Sequence, residues 1–381
     1  QSIQRIEGSF AFAAIAPHEP GRIVCARRGS PLAVGIGDGF TILASDALPI
    51  VGHTRKVVYL DDDQVATLEP GGVRLRQAGR DVPLRVQEIA WSPEAAERGG
   101  YAHFMLKEIH EQPGVLRKLA GQLVADPGDA SLQDGFPQFR FGQVNLSDAD
   151  LRRVSRVAVV AQGTSYHAGM IARNMIERTA RIPVQVDYGS DFRYRDPVLD
   201  PSVLVLGISQ SGETADTLGA VRLARERGCK TLSVLNVQGS TMARESDGCI
   251  LMHAGPEIGV ASTKAFTAQL AALYVFAVRL GILRGTLDAA EACRRVGDLL
   301  QVATRVEEAL SHEAAVRQAA LSIQDAEHAL YLGRGTGYPL ALEGALKLKE
   351  VSYVHAEGLD AAEMKHGPIA LIDEKMPVVV L

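Results

Sequence analysis

The sequence predicts an α/β protein. Doubly wound parallel-sheet domains stand in tandem, with a smaller antiparallel β region ahead of them. Three observations carry this. From about residue 150, short β-branched runs alternate with long amphipathic stretches, the texture of a parallel sheet with helices between its strands. A string made of strand end, Gly-Thr-small loop and helix start occurs twice, at residues 159–166 and 331–338, aligned without gaps and 172 positions apart. Before residue 80 the apolar runs are short and punctuated by Gly, Pro and Asp, as in turns between antiparallel strands.

At 381 residues the chain is long enough for two or three domains of roughly 100–200 residues each. With 46% hydrophobic and 22% charged residues it has an ordinary globular composition. A net charge of -5 argues against a nucleic-acid binder, which needs a basic face. The four cysteines, Cys25, Cys229, Cys249 and Cys293, are scattered, with no CxxC and no histidine-cysteine cluster, so no metal is expected. So few cysteines fit a reducing compartment, and cytoplasm is the expectation. The most apolar window, 270–283, contains Arg279 and follows Lys264. It reads as a buried helix rather than a membrane span. The opening residues do not read as a signal peptide, and none is expected. It begins with Gln1 and stops inside the apolar run 377–381, so it is expected to be a fragment.

Taken in order, residues 1–80 form the β region. Apolar runs lie at 10–15 and 40–43, and the runs 57–60 and 65–68 flank the acidic turn Asp61-Asp62-Asp63. Residues 81–104 have little periodicity and include Trp91, Ser92, Pro93 and Gly99-Gly100, which reads as a linker. A helix is expected over 103–123, so that 81–147 is linker plus leading helix. The first α/β domain spans 148–288. Its strands are the continuous apolar runs 157–160, 203–208 and 231–235, and its helices cover 166–179, 214–227 and 263–280. The second, truncated copy spans 320–381 and begins its first strand near His328.

Three loops of the first α/β domain are rich in hydroxyls: Gly163-Thr164-Ser165, the segment from Ser209, Gln210 and Ser211 to Thr214, and Val260-Ala261-Ser262-Thr263-Lys264. Ligands of open α/β sheets bind outside the carboxyl ends of the strands, where helix N-termini offer free N–H groups. Hydroxyls add donors without bulk, which suits a phosphate. Ser and Thr are also ordinary helix caps, so each loop alone has a purely structural reading. None of the loops matches a nucleotide-binding pattern. In the second copy, Glu343, Lys347 and Glu350 fall on one face of a predicted helix, and His366 follows in Lys365-His366-Gly367-Pro368. A carboxylate and an imidazole are the usual groups for moving protons. A surface salt-bridged helix with a turn histidine is the alternative.

Together these strings resemble the isomerising glutamine–fructose-6-phosphate aminotransferases. The matching segments are 163–166, SQSGETADT at 209–217, EIGVASTKAF at 257–266, LEGALKLKEVS at 342–352, His355-Ala356-Glu357 and 365–368. Arg28-Gly29-Ser30-Pro31-Leu32 and Ala44-Ser45-Asp46 look like the end of the family's glutaminase domain, and MLKEIHEQP at 105–113 like the segment leading into the sugar domains. The resemblance implies two SIS (sugar isomerase) domains after the C-terminal part of an Ntn-type class II glutaminase domain. It implies conversion of fructose 6-phosphate to glucosamine 6-phosphate with nitrogen from glutamine, no cofactor, and a homodimer. By position, Thr164, Ser165, Ser209, Gln210, Ser211 and Thr214 would hold the sugar phosphate, and Val260 and Ser262 would line the pocket. Glu350 would be the proton-transfer base, His366 would open the ring from the partner subunit, and Glu343 and Lys347 would line the site.

There are departures. The family's N-terminal catalytic cysteine would precede Gln1, and Cys25 does not match it. The Schiff-base lysine would lie beyond Leu381, and Gln162 stands where a cysteine is common. Lacking both groups, this stretch alone is expected to be inactive. Another SIS-domain enzyme, an isomerase or an amino-sugar deaminase, is the first rival, and the glutaminase-like start argues against it. A sugar-phosphate-sensing regulator is the second. It would need a basic helix-turn-helix, which the sequence does not suggest.

Overall fold

A computed structural model describes residues 2–89, 97–125 and 132–381. Trp91, Ser92 and Pro93 of the expected linker lie outside the described residues.

The N-terminal strands are β1 (Phe10–Ala14), β2 (Ile23–Arg28), β3 (Ala33–Ile36), β4 (Thr41–Ala44), β5 (Lys56–Tyr59), β6 (Gln64–Glu69), β7 (Gly72–Gln77), β8 (Arg80–Val82) and β9 (Gln87–Glu88), with the short helix α1 (Leu48–Val51) after β4. They form two antiparallel sheets, ordered β1-β2-β6-β7-β8 and β4-β3-β5-β9. Cys25, Val34, Leu60 and Leu68 close the core between them. Burial pushes the Cys25 thiol up to about 11, so it is not poised as a nucleophile. One feature differs from the sequence reading. The region expected to be linker contributes β9, which pairs with β5. The acidic turn Asp61-Asp62-Asp63 lies between its two strands as expected, and because β5 and β6 belong to different sheets it crosses between layers.

Next come α2 (Phe104–Leu123), the short pair β10 (Leu132–Gln133) and β11 (Phe136–Pro137), β12 (Gln143–Val144) and α3 (Asp148–Arg153). The first α/β unit then runs β13 (Arg156–Ala161), α4 (Gly163–Ala180), β14 (Val184–Tyr188), α5 (Gly189–Tyr194), β15 (Val203–Ser209), α6 (Ala215–Glu226), β16 (Lys230–Leu235), α7 (Thr241–Glu245), β17 (Gly248–Leu251) and α8 (Lys264–Leu283). The sheet order is β12-β17-β16-β15-β13-β14, parallel except for β12 at the edge. From β13 the chain first moves to β14 on one side and then to β15 on the other. The crevice beyond the ends of β13 and β15 is therefore the switch point where such folds bind ligands. Every residue of β15 is buried, which is why its sequence is a continuous apolar run.

Residues from α2, α4, α8 and α9 (Ala289–Leu310) pack on one face of the sheet. Residues from α5, α6 and α7 pack on the other. α8 is long and apolar enough by composition to cross a membrane, but here Ala265, Ala272, Leu273 and Phe276 lie buried against the sheet. After α10 (Glu313–Ser322) the second unit places β18 (His328–Gly333) between β19 (His355–Asp360) and β20 (Val378–Val380), all parallel, with α11 (Gly337–Ser352) packed over them. The repeated loops correspond in backbone as well as in sequence. Gly163 has φ +52° and its counterpart Gly335 has φ +60°, a left-handed conformation that favours glycine in both turns.

Candidate functional site

The loop between β15 and α6 is a compact turn built by its own side chains. The Ser209 hydroxyl accepts from the Gly212 N–H at 3.0 Å and meets the Thr214 hydroxyl at 3.0 Å. The Ser211 hydroxyl accepts from the Glu213 N–H at 3.1 Å. Gly212 has φ +69°, and a Cβ there would collide with the Ser240 hydroxyl. These bonds set the hydroxyls of Ser209, Ser211 and Thr214 around a cleft of about 310 Å³. The cleft is also lined by Gln162, Thr164, Ser165, Gln210, Val260, Ser262 and Gln269. All eight substrate-binding candidates from the sequence thus face one cavity.

The other loops are held from behind. The Gln269 side chain on α8 donates to the Ser165 hydroxyl at 2.9 Å. The buried Glu257 carboxylate accepts from the Ser262 hydroxyl at 2.7 Å and from the Thr263 N–H at 2.8 Å, folding the third loop at the start of α8. Glu108 of α2 accepts from the N–H groups of Ile258 at 2.6 Å and Gly259 at 3.1 Å. Glu108 is only 2% exposed, and burial pushes its carboxyl above its ordinary value despite those two backbone bonds. Val260 sits at the rim with its side chain 91% exposed.

The first α/β unit meets α11 through Thr164. Its hydroxyl donates to the Glu343 carboxylate at 2.8 Å, and the Lys347 ammonium lies 3.1 Å from the same oxygen of Thr164. Lys347 also pairs with Glu343 at 3.2 Å and with Glu350 at 2.6 Å, as the helical spacing of the three residues requires. The His167 ring Nδ1 lies 2.7 Å from the second Glu343 oxygen. Glu343 is 6% exposed, which rules out the reading of α11 as a surface salt-bridged helix. Burial alone would raise the Glu343 carboxyl. The His167 hydrogen bond, the Lys347 charge and the Thr164 hydroxyl outweigh it, and the carboxyl is held below its ordinary value.

His366 stands apart. It lies exposed on the short turn Glu363–His366 after β19, and none of the described hydrogen bonds or ion pairs joins it to Glu343, Lys347 or Glu350. Sequence reasoning missed His167, Glu257, Gln269 and Asp46. Asp46 comes from the N-terminal sheets and lines the same cleft. His167 could have been found, because it follows Thr164 by three residues on one helix face. Among the described residues no group of His, Cys, Asp and Glu is placed to hold a metal ion.

The SIS domain family matches residues 150–279 and 322–381, which hold the parallel sheet with the hydroxyl-rich cleft at its switch point and the unit that follows it. A glutamine–fructose-6-phosphate aminotransferase (isomerizing) from Chlorobaculum tepidum is 47% identical over 100% of this chain and 61% of its own length. Its counterpart from Streptomyces coelicolor is 48% identical over 99% of this chain and 60% of its own length. The solved C-terminal domain of glucosamine-fructose-6-phosphate aminotransferase from Francisella tularensis is 41% identical and superposes with a TM-score of 0.69, covering 74% of this chain and 77% of that one. The chain belongs to the isomerising glutamine–fructose-6-phosphate aminotransferase family. It spans about 60% of the length of these curated relatives.

Proposed function

We propose that this chain is the sugar-phosphate-handling part of an enzyme that converts fructose 6-phosphate to glucosamine 6-phosphate, with glutamine as the nitrogen donor. The observation that carries the proposal is the connection through Thr164. One residue both lines the hydroxyl cleft and hydrogen-bonds the Glu343–Lys347–Glu350 face. Substrate binding and proton transfer can therefore share one cavity.

On this reading the Ser209–Thr214 turn holds the phosphate with hydroxyl and backbone N–H donors at the start of α6. Thr164, Ser165 and Gln210 take the remaining oxygens, and Val260 and Ser262 bound the pocket. Glu350 moves the proton between C1 and C2, and Lys347 fixes the direction of its carboxylate by their 2.6 Å ion pair. Glu343 acts one step back, holding Thr164 and Lys347 in place. His366 acts on the ring oxygen. Its exposure and its separation from the cluster support a role in the cleft of the second subunit of a homodimer. The N-terminal sheets are the end of the glutaminase domain.

Calorimetric titration of the full-length protein with fructose 6-phosphate tests the binding site. Ser209→Ala and Ser211→Ala should each weaken binding by about 1.5–3 kcal/mol, the worth of a hydrogen bond to a charged group. Unchanged affinity in both variants would remove the turn from the site.

A further inference from the structure

We propose that Arg27 and Glu213 are positioning residues for the phosphate cradle, through which the N-terminal sheets set the geometry of the turn between β15 and α6. The proposal rests on the reading of that turn as a phosphate site.

Glu213 stands inside the turn, between Gly212 and Thr214. Its N–H is tied to the Ser211 hydroxyl, so a displaced Glu213 displaces Ser211. Its side chain does not line the cleft and is 5% exposed. The carboxylate accepts from the Thr241 N–H at 2.7 Å and lies 3.9 Å from the Arg27 guanidinium. Arg27 belongs to β2 of the N-terminal sheets. At 1% exposed it is among the largest fully buried side chains of the described residues. It donates to the Leu60 carbonyl at 2.9 Å and to Asp62 at 2.9 Å, while its Nε has no hydrogen-bond partner among the described residues.

A buried arginine so arranged is costly unless its charge is matched, and Glu213 and Asp62 are the two carboxylates beside it. Burial raises the Glu213 carboxyl, and the contacts to Thr241, Arg27 and Arg244 only partly offset this. Without Arg27 the carboxylate would have one fewer reason to stay where it is.

The neighbouring contacts act in the same direction. Asp62 also pairs at 3.0 Å with Arg222 of α6, the helix that begins at the cradle. Arg222 is in turn held by Glu245 at 2.7 Å. Asp61 pairs with Arg244 of α7 at 3.0 Å. The acidic turn between β5 and β6 thus grips α6 and α7, the second of which opens with Thr241, while Arg27 reaches the turn between β15 and α6 itself. Asp46 and Tyr59 of the same sheets line the space against Gln210, Ser211 and Glu213. The cradle is therefore a loop with one wall supplied by another domain. Its hydroxyls are registered against that wall by one buried ion pair.

The test uses the full-length protein, titrated with fructose 6-phosphate by calorimetry in the absence of glutamine. Arg27→Met and Glu213→Gln should each raise the Kd about 5- to 30-fold. The double variant should bind no more weakly than the worse single one, because both changes break the same connection. Arg27→Lys, which keeps a cation on β2, should recover part of the loss. Turnover at saturating sugar should stay within about threefold, as expected when binding alone is weakened. If Arg27→Met does not fold, Arg27→Lys and Glu213→Gln carry the same comparison. A Kd within twofold of wild type in the folded variants, while Ser209→Ala binds at least tenfold more weakly, overturns the positioning role. Additive losses in the double variant overturn it as well. If Ser209→Ala also binds normally, the phosphate reading fails and the positioning role fails with it.

Discussion

The Thr164 hydroxyl donates to the Glu343 carboxylate at 2.8 Å across 179 residues of sequence. That bond links the N-terminus of α4 to the middle of α11, and so the two α/β units to each other. Removing the donor with Thr164→Val leaves Glu343 its contacts to His167 and Lys347 but takes away a part-buried bond to a charge. We expect a loss of about 1.5–3 kcal/mol in stability. Urea unfolding should show a lower midpoint with an unchanged slope, since the surface exposed on unfolding is the same.

The same cluster predicts an acid-side weakness. The Glu343 carboxyl is held below its ordinary value of 4.5, so its contribution is fully present above that pH and is lost as pH falls through the lower folded-state value. Stability measured from pH 6 downwards should fall more steeply in the wild type than in Glu343→Gln, which cannot titrate. Parallel curves for the two proteins would show that Glu343 carries no such linkage.

Gly212 is predicted to be intolerant of a side chain. Its φ of +69° costs an L-residue about 1–2 kcal/mol, and its Cβ would meet Ser240. Gly212→Ala should lower the melting temperature and, by moving Ser209 and Ser211, weaken fructose 6-phosphate binding more than either serine variant does. Gly114, where a Cβ meets nothing within 4 Å and φ is not positive, is the control.

Much of this was legible in the sequence because burial writes itself into composition. β13, β15 and β16 are central strands with both faces covered; β13 and β15 are largely apolar runs, while β16 carries Thr231 and Ser233 buried among its apolar residues. β14 escapes that reading. It is an edge strand whose VQVDY sequence alternates between apolar and polar residues. β17 is a four-residue strand opening on Gly248, with too little length to show a period. Within the site, the hydroxyl loops are local strings and can be seen. Partnerships such as His167 with Glu343, or Gln269 with Ser165, are formed by packing and leave no trace in spacing along one segment. The same holds for Asp61 and Asp62. A local reading makes them a turn, and only the tertiary arrangement makes them the grip on Arg222 and Arg244.

The placement of His366 predicts a site shared between subunits. Glu350→Gln and His366→Ala homodimers should each be inactive as isomerases. Mixed under conditions that exchange subunits, they should regain activity, because one cleft of the heterodimer then has both intact groups. Heterodimers that demonstrably form yet stay inactive would place both groups in the same chain's site.

Glu350 is predicted to move the proton between C1 and C2 of a sugar phosphate held beside α11. The most direct measurement is the exchange with solvent of the hydrogens on C1 of fructose 6-phosphate, one of which isomerisation moves to C2, followed by NMR in deuterated water on the full-length protein. Wild type should exchange them. Glu350→Gln should slow exchange by about 100- to 10,000-fold, the contribution of a positioned general base, whether fructose 6-phosphate or an open-chain analogue is supplied. Exchange at the wild-type rate in a folded Glu350→Gln protein that still binds the sugar would take the proton-transfer role from Glu350 and make Glu343 the candidate base.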